Sequence, residues 1–145
     1  MKFVVALLAF SMASIGSARA AEVNLVIEGL RNTKGDVAVC LWLDRVGFPD
    51  CSKSPTARQQ VVRADAASSL TFDNLPGDTF AITLIHDENS NGKFDTTLVG
   101  IPKEGAGASN NAVSRFAPPR YAASSFVVRG QATQRIKLVY WLGSK

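Results

Sequence analysis

The sequence predicts an all-β fold, a single seven-stranded antiparallel β-sandwich with one long loop. Short runs in which apolar and polar residues alternate fill most of the chain after residue 20, and this period of two is typical of half-buried strands. Clusters of Gly, Pro, Asn and Asp separate these runs, as turns separate strands. No amphipathic stretch of helical period is long enough to predict a helix, so the composition favours an all-β class.

The predicted strands follow one another at short intervals. Residues 22–28 and 36–43 flank the turn at 32–35, so we expect them to pair as a hairpin. Residues 79–85 are apolar on both faces, which predicts a central strand. The other four predicted strands are residues 59–63 and 69–72, both weak and placed at sheet edges, and residues 124–129 and 133–141.

The same alternation predicts which side chains face the core, because successive side chains of a strand point to opposite faces of its sheet. The inward-facing set is Val23, Leu25, Ile27, Val37, Val39, Leu41, Phe80, Ile82, Leu84, Phe126, Ile136 and Leu138.

The first 20 residues have the pattern of an export signal. Lys2 supplies a positive charge, residues 3–15 are mostly apolar, and Ala18-Arg19-Ala20 matches an A-x-A cleavage site. Cleavage after Ala20 would leave residues 21–145 as a single domain, periplasmic or secreted, with no apolar run long enough to span a membrane. Sixteen basic residues then become fourteen against twelve acidic ones, and they are scattered, which argues against nucleic-acid binding.

Two cysteines, Cys40 and Cys51, remain after the predicted cleavage site. An even number of cysteines in an exported protein predicts a disulfide, and only one pairing is available. The spacing is far from the C-x-x-C of redox-active pairs, so the bond is predicted to be structural.

The acidic, amide-rich segment at 87–95 follows the predicted central strand and has the spacing of a calcium-binding loop. Its oxygen-bearing residues occupy alternate positions, with Gly92 at the sharp-turn position of the pattern. Leu98 stands where an EF-hand has its bidentate Glu, so the ligand set is complete only if Glu104 or Asn110 folds back. The candidate Ca²⁺ ligands are the side chains of Asp87, Asn89, Asn91 and Asp95 with the carbonyl of Lys93.

A metal-free hairpin is the alternative interpretation of the same segment. Asn91-Gly92 is the preferred dipeptide of a two-residue type I′ turn, and the residues after it could return as a strand. In that register Glu88 would lie opposite Asp95, an unfavourable pair of like charges. The sequence leaves calcium loop and hairpin both open. No other cofactor is indicated.

Two further functions were considered for other residues. A hydrolase would use His86, the only histidine, with Asp87 and either Ser109 or Ser114, but no nucleophile motif such as G-x-S-x-G is present. A carbohydrate-binding surface would use the aromatic residues Trp42, Phe48, Phe116 and Tyr121, although most such residues belong to cores.

Residues 86–121 form a long excursion with weak strand patterns, rich in Gly and Pro. Loops of this length are uncommon in compact domains and usually carry function. We therefore expect the functional site of the protein to lie in this excursion.

Five motifs in order carry a resemblance to a known family. They are G-L-R-N-x-x-G-x-V-x-x-x-L-W at 29–42, G-F-P-x-C at 47–51, F-x-N-L-P-G-D-x-F-A-I at 72–82, H-D-E-N-x-N-G-K-F-D at 86–95 and G-I-P-K-E-G-x-G-x-S-N-N at 100–111. The chain resembles a family of small exported bacterial proteins known only as a domain of unknown function. The third motif is also similar to the turn and strand of prealbumin-like sandwiches, such as the regulatory domain of carboxypeptidases. The resemblance implies a prealbumin-like or immunoglobulin-like Greek-key sandwich, outside the cytoplasm, with no established activity.

These observations together predict an exported, non-catalytic binding or accessory domain with a weak calcium site at 87–95. The predicted partner is a protein or a cell-envelope glycan. A hydrolase that uses His86 and a loop serine, and a carbohydrate- or cell-envelope-binding module, are the alternatives that the sequence leaves open.

Overall fold

The computed structural model describes residues 20–115 and 117–143, and eight β-strands in these ranges form two sheets. One helical turn, α1 (Tyr121–Ser124), and short 3-10 turns at Cys51–Lys53, Ala64–Ala66 and Ser109–Asn111 connect them. The strands are β1 (Ala21–Glu28), β2 (Asp36–Trp42), β3 (Arg58–Arg63), β4 (Ser69–Leu75), β5 (Thr79–Asp87), β6 (Gly105–Ala108), β7 (Phe126–Val127) and β8 (Gln131–Lys137). The predicted all-β, two-sheet fold is confirmed.

The predicted signal peptide lies outside the described residues, except for Ala20. Across the described ranges, no helix has both the length and the apolar character needed to cross a membrane.

The two sheets have the strand orders β4-β1-β8 and β3-β2-β5-β6, and β7 pairs with the start of β5. The weak strands β3 and β4 lie at sheet edges, as predicted, and β5 has neighbours on both sides. The structure differs in two respects from the predicted set of seven antiparallel strands. β1 and β8 run parallel, and β6 is an eighth strand. The sequence of β6, Gly-Ala-Gly-Ala, has no alternation of apolar and polar residues, so the pattern could not reveal it.

The predicted hairpin of the first two strands is wrong, because β1 and β2 belong to different sheets. Each strand has one fully apolar face, and those faces meet across the core, where Leu25 and Val39 are both fully buried. Gly29 and Gly35 both have positive φ, of 76° and 68°, which lets the chain change direction between the sheets. Alternation fixes the face of a strand but does not fix its neighbour, so the same pattern fits both arrangements.

The predicted inward-facing residues all belong to one hydrophobic core between the sheets, and only Phe126 among them is partly exposed. The predicted strand at 124–129 is shorter than expected. Only Phe126–Val127 forms a strand, and α1 ends at Ser124, two residues before it.

The predicted disulfide between Cys40 and Cys51 is confirmed. It lies on the outer face of the second sheet, beside the fully buried ring of Trp42. The indole N–H of Trp42 donates to Thr83 Oγ1 at 2.9 Å, and Phe48 packs edge-on against Trp42 and Tyr121 with ring centroids 5.0 and 5.5 Å apart. These aromatic residues therefore form a small second core, in which Trp42 is fully buried and Phe48 and Tyr121 are partly buried. Phe116 lies outside the described residues.

Gly35 is a position where the backbones of two segments touch. A Cβ at Gly35 would lie 2.0 Å from the carbonyl oxygen of Asp87, and φ is +68°. Gly77 has a similar φ of +85° but nothing within 4 Å of a Cβ. We expect Gly77→Ala to cost about 1 kcal/mol for the left-handed backbone alone. Gly35→Ala should cost at least about 2 kcal/mol, because it adds a collision with main chain.

Urea denaturation of the two variants would test this expectation. Equal losses of unfolding free energy in Gly35→Ala and Gly77→Ala would contradict the close approach of Gly35 to the Asp87 backbone.

Candidate functional site

The candidate site begins at the last residue of β5. His86 faces the core, and Asp87, its neighbour, faces the outer side of the sheet and is 5% exposed. The Asp87 carboxylate accepts hydrogen bonds from the main-chain N–H groups of Asn91 at 3.1 Å and Gly92 at 2.7 Å. These bonds fold the chain back sharply over the end of the strand. Gly92 is suited to the turn because its φ is +73°.

The amide side chains of the segment also turn inward over the loop. Asn89 Oδ1 accepts from the Asn91 N–H at 3.1 Å, and Asn91 Oδ1 accepts from the Lys93 N–H at 2.8 Å. The side-chain amides of Asn89 and Asn91 both donate to Asp95 Oδ2, at 2.8 and 2.9 Å. All five residues predicted as ligands are thus brought into one tight loop, with four of their side chains in contact with one another or with the main chain of the loop.

Glu104 folds back onto this loop. It is one of the two residues that the sequence analysis proposed to complete the ligand set. Its side chain is 3% exposed, and Oε2 accepts from the main-chain N–H of Asp95 at 3.0 Å. Oε1 is buried and has no hydrogen-bond partner among the residues that the structure describes. Burial raises the pKa of the Glu104 carboxyl, and the nearby charges of Asp87 and Asp95 raise it further, while hydrogen bonding from the main chain of Asp95 and, more weakly, of Glu88 opposes them. A buried carboxylate oxygen without a hydrogen-bond partner is costly, and in proteins such an atom is usually satisfied by an ordered water or an ion.

Asn110, the other alternative, is directed elsewhere. Its side-chain amide donates to the carbonyl oxygens of Ala123 and Ser125 at 3.1 and 3.0 Å. It therefore ties the Ser109–Asn111 turn to α1 and takes no part in the 87–95 loop.

The residues between Asp95 and Glu104 form a small hairpin, which we call the 95–103 hairpin. The Lys103 N–H donates to Asp95 O at 2.9 Å, and the Thr97 N–H donates to Ile101 O at 2.8 Å. Thr96 and Pro102 form an antiparallel bridge between them. The hairpin replaces the short connection of an EF-hand loop, and it explains how Glu104 reaches the position that Leu98 holds in the sequence pattern.

The predicted hairpin centred on Asn91-Gly92 is therefore wrong. The strand that returns beside β5 is β6, with His86 opposite Gly105, so residues 88–104 form a long connection between these two strands. Glu88 does not face Asp95. Instead, Arg31 and Asn32 both bind the Glu88 carboxylate, and the pKa of Glu88 is lowered, chiefly by its hydrogen bond with Arg31.

Arg31 was missed by the sequence analysis, although it holds the loop from below. Besides Glu88, its guanidinium donates to the carbonyl oxygens of Lys103 at 2.9 Å and Leu142 at 2.6 Å, and it lies 4.5 Å from the centre of the Tyr140 ring. A single arginine 57 residues from Glu88 in the chain gives no sequence pattern. It could be recognised only once the 29–35 connection was known to pass under the loop.

His86 is buried, and both nitrogens of its ring are hydrogen-bonded within the protein. Its ring is fully buried, with Nε2 2.7 Å from the carbonyl oxygen of Lys34 and Nδ1 2.7 Å from the hydroxyl of Tyr140. A carbonyl only accepts, so Nε2 carries a proton, and in the neutral ring Nδ1 accepts from Tyr140. The hydroxyl of Ser109 accepts from the Ile82 N–H at 2.9 Å and contacts the carbonyl oxygen of Ser124. His86 and Ser109 therefore form hydrogen bonds with different partners and not with each other.

Carboxylates alone do not define a metal centre. Within residues 20–115 and 117–143, no group of three or more His, Cys, Asp or Glu side chains is close enough to hold a metal ion. The arrangement at the end of β5 instead combines carboxylates with the amide oxygens of Asn89 and Asn91. This mixture of hard oxygen donors suits Ca²⁺ better than zinc or other softer metals.

A broad cleft of about 1260 Å³ adjoins the loop on the outer face of the second sheet. Small side chains such as Ala38 and Thr83 form its floor, and Ile101 and Pro118 belong to its walls. Its volume is sufficient for a small organic ligand. Asp87, Gly92 and Lys93 line this cleft, so the loop and the cleft lie on the same face of the molecule.

The comparisons with known proteins identify a family but no function. A family model described as an uncharacterized protein conserved in bacteria, DUF2141, matches residues 25–137, which include every strand except the start of β1. No curated protein and no solved structure matches the chain. Since the family model covers more than half of the sequence, the chain belongs to this uncharacterized bacterial family, DUF2141.

Proposed function

We propose that the protein is an exported, non-catalytic binding domain whose 87–104 loop binds Ca²⁺. The observation that carries this proposal is Glu104, whose buried Oε1 has no partner in the described part of the chain while Oε2 is bound to the ligand loop. Calcium would supply the missing partner. The export signal predicted from residues 1–20 is consistent with compartments in which calcium is abundant.

The charges of the loop support a divalent cation. Arg31 is already bound to Glu88, and the charges of Asp87 and Asp95 act on the buried Glu104 carboxyl. A bound Ca²⁺ would offset their mutual repulsion and would coordinate Asn89 and Asn91 through their amide oxygens. Asn89 and Asn91 would then turn their amide nitrogens away from Asp95.

The proposed ligands follow the order of an EF-hand loop, except that the last ligand comes later in the chain. Asp87, Asn89, Asn91, the Lys93 carbonyl and Asp95 stand at positions 1, 3, 5, 7 and 9. Glu104 takes the part of the bidentate Glu at position 12, with the 95–103 hairpin inserted before it. We therefore expect a dissociation constant of about 10⁻⁴–10⁻³ M, as in extracellular calcium modules.

Calcium is expected to stabilise the folded protein. Saturation at about a hundred times the dissociation constant contributes roughly 2.7 kcal/mol, which corresponds to a rise of several degrees in melting temperature. Asp87→Asn and Asp95→Asn should each remove this rise. Asp73→Asn, at an exposed carboxylate on β4, is the matched control and should keep it. Magnesium should give a smaller rise, because it demands a more regular octahedral site.

Differential scanning calorimetry of chelator-treated protein, with and without calcium, measures these effects. Identical melting curves for the parent, together with no heat of calcium binding in titration calorimetry, would refute the calcium site.

Glu104→Gln should raise the melting temperature of the calcium-free protein and lower that of the calcium-bound protein. Because the folded-state pKa of Glu104 is raised, its ionised form costs stability above that pKa, and the cost disappears as the pH falls and the group is protonated. Without calcium, Glu104→Gln should therefore melt higher than the parent at pH 7.5, and the difference should shrink toward pH 4.5. With calcium, the variant should melt lower than the parent, because the bidentate ligand is lost.

Thermal melts over this pH range, with and without calcium, provide the test. A variant that is less stable than the parent in the absence of calcium at pH 7.5 would show that Glu104 has another partner and would remove the basis of the proposal.

A hydrolase remains the alternative function, with His86 as its base. We expect His86→Ala to lower the unfolding free energy by roughly 2–4 kcal/mol, because it removes a fully buried ring and its hydrogen bonds to the Lys34 carbonyl and the Tyr140 hydroxyl. The measurement is a urea melt combined with an ester-hydrolysis assay of the parent and the variant. An unchanged melt with loss of a hydrolytic activity present in the parent would favour the enzyme.

A further inference from the structure

The tip of the 95–103 hairpin is strongly apolar and exposed. Leu98 is 108% exposed and Val99 is 80% exposed, relative to reference values for the isolated residues, so Leu98 buries none of its surface in the protein. Ile101 and Phe94 are also exposed, at 41% and 38%. These four account for half of the exposed large apolar residues in the described ranges, and they lie within eight consecutive positions. Such a cluster indicates an interaction surface.

Hydrogen bonds fix the shape of this tip. The Gly100 N–H donates to Thr97 O at 2.9 Å, which makes Leu98 and Val99 the two central residues of a β-turn. The Ile101 N–H donates to Thr97 Oγ1 at 3.1 Å, which closes the turn from the other side. The central positions of turns usually carry Gly, Pro, Asn, Asp or Ser, so two branched apolar residues there are unusual. The tip is therefore preorganised, and little conformational entropy remains to be lost on binding.

The base of the hairpin joins the proposed calcium site. Asp95 and Lys103 pair there through their main chains, and Glu104 follows directly. The Lys103 carbonyl also accepts from Arg31. Lys93 and Lys103 themselves are exposed, one on each side of the base. From base to tip the hairpin spans three to four residues, or about 10 Å at the rise of a strand.

These features select the partner. Two exposed side chains on a narrow turn offer far less than the roughly 800 Å² that a protein partner usually covers on each side. A lipid bilayer accepts a few apolar side chains at its interface, to a depth of about 5–10 Å, and anionic headgroups attract lysines placed at that level. Depth and area fit the bilayer, and the charge fits once calcium offsets the carboxylates at the base of the hairpin.

We propose that the 95–103 hairpin inserts Leu98 and Val99 into the interface of an anionic lipid bilayer. Lys93 and Lys103 contact headgroups, and calcium holds the base of the hairpin. This inference rests on the proposed calcium site at the base of the hairpin, but the insertion and the metal site are measured separately.

The experiment is co-sedimentation of the purified protein with vesicles of phosphatidylcholine that contain about 30% phosphatidylglycerol. With calcium at about 10 mM, within the range that saturates the proposed site, we expect the parent to sediment with these vesicles and not with pure phosphatidylcholine. The double variant Leu98→Ser/Val99→Ser should bind at least about tenfold more weakly. Val61→Ser, at an apolar residue of β3 that is 59% exposed, is the matched control and should bind as the parent does. Leu98→Trp should show a blue shift of its emission when anionic vesicles are added.

The outcomes separate the two proposals. Calcium binding by titration calorimetry with no sedimentation on anionic vesicles overturns the insertion and leaves the calcium site intact. Sedimentation that needs Leu98 and Val99 but not calcium supports the lipid surface and overturns its coupling to the metal. Equal binding of the parent and the double variant overturns the insertion, as does self-association of the parent that the double variant abolishes without any vesicle binding.

Discussion

The antiparallel pairing of β5 with β2, which runs from Asp36 opposite Asp87 to Trp42 opposite Ala81, is the constraint on which the rest of the structure depends. It sets which residues of β5 enter the core and which face outward, and it fixes the height at which the strand ends. Because β6 pairs with the other side of β5, the end of the strand is held from both sides. The connection before β2 then passes so close to Asp87 that only glycine fits at position 35. The candidate site thus begins from a rigid base.

The loop built on this base is polar and acidic, and its stability depends on how its charges are balanced. Arg31 offsets Glu88 and connects the loop with the C-terminal segment, while Tyr140 lies beneath Arg31 and also bonds His86. Tyr140 therefore links the buried His86 with the exposed Arg31. Burial raises the pKa of Glu104, whereas the hydrogen bond from Arg31 outweighs burial at Glu88 and lowers its pKa.

Much of this arrangement could be predicted from the sequence, because it depends on local pattern. Alternation identified the core residues, the even cysteine count identified the disulfide, and the spacing of oxygen-bearing residues identified the loop from Asp87 to Asp95. The rest depends on contacts that no local pattern records. Whether β1 lies beside β2 or across the core from it changes nothing in their alternation. The strand β6 consists of Gly and Ala, whose small size lets Tyr140 and Ile136 pack against Gly105 and Gly107 but gives no strand pattern. The partner of Glu88 is an arginine from a distant connection.

The hairpin between Asp95 and Glu104 has a hydrogen-bonded base and an exposed tip. The residues that hold the base together lie on one side of the Thr96–Pro102 bridge, and those that meet the surroundings lie on the other. Substitutions at the tip can therefore alter what the protein touches without changing the oxygen atoms at the base, and the reverse also holds. A loop with this division is free to diversify at its tip while its scaffold stays constant, much as the binding loops of antibodies vary on an unchanging framework. The same division makes the tip a natural place to graft a foreign recognition sequence.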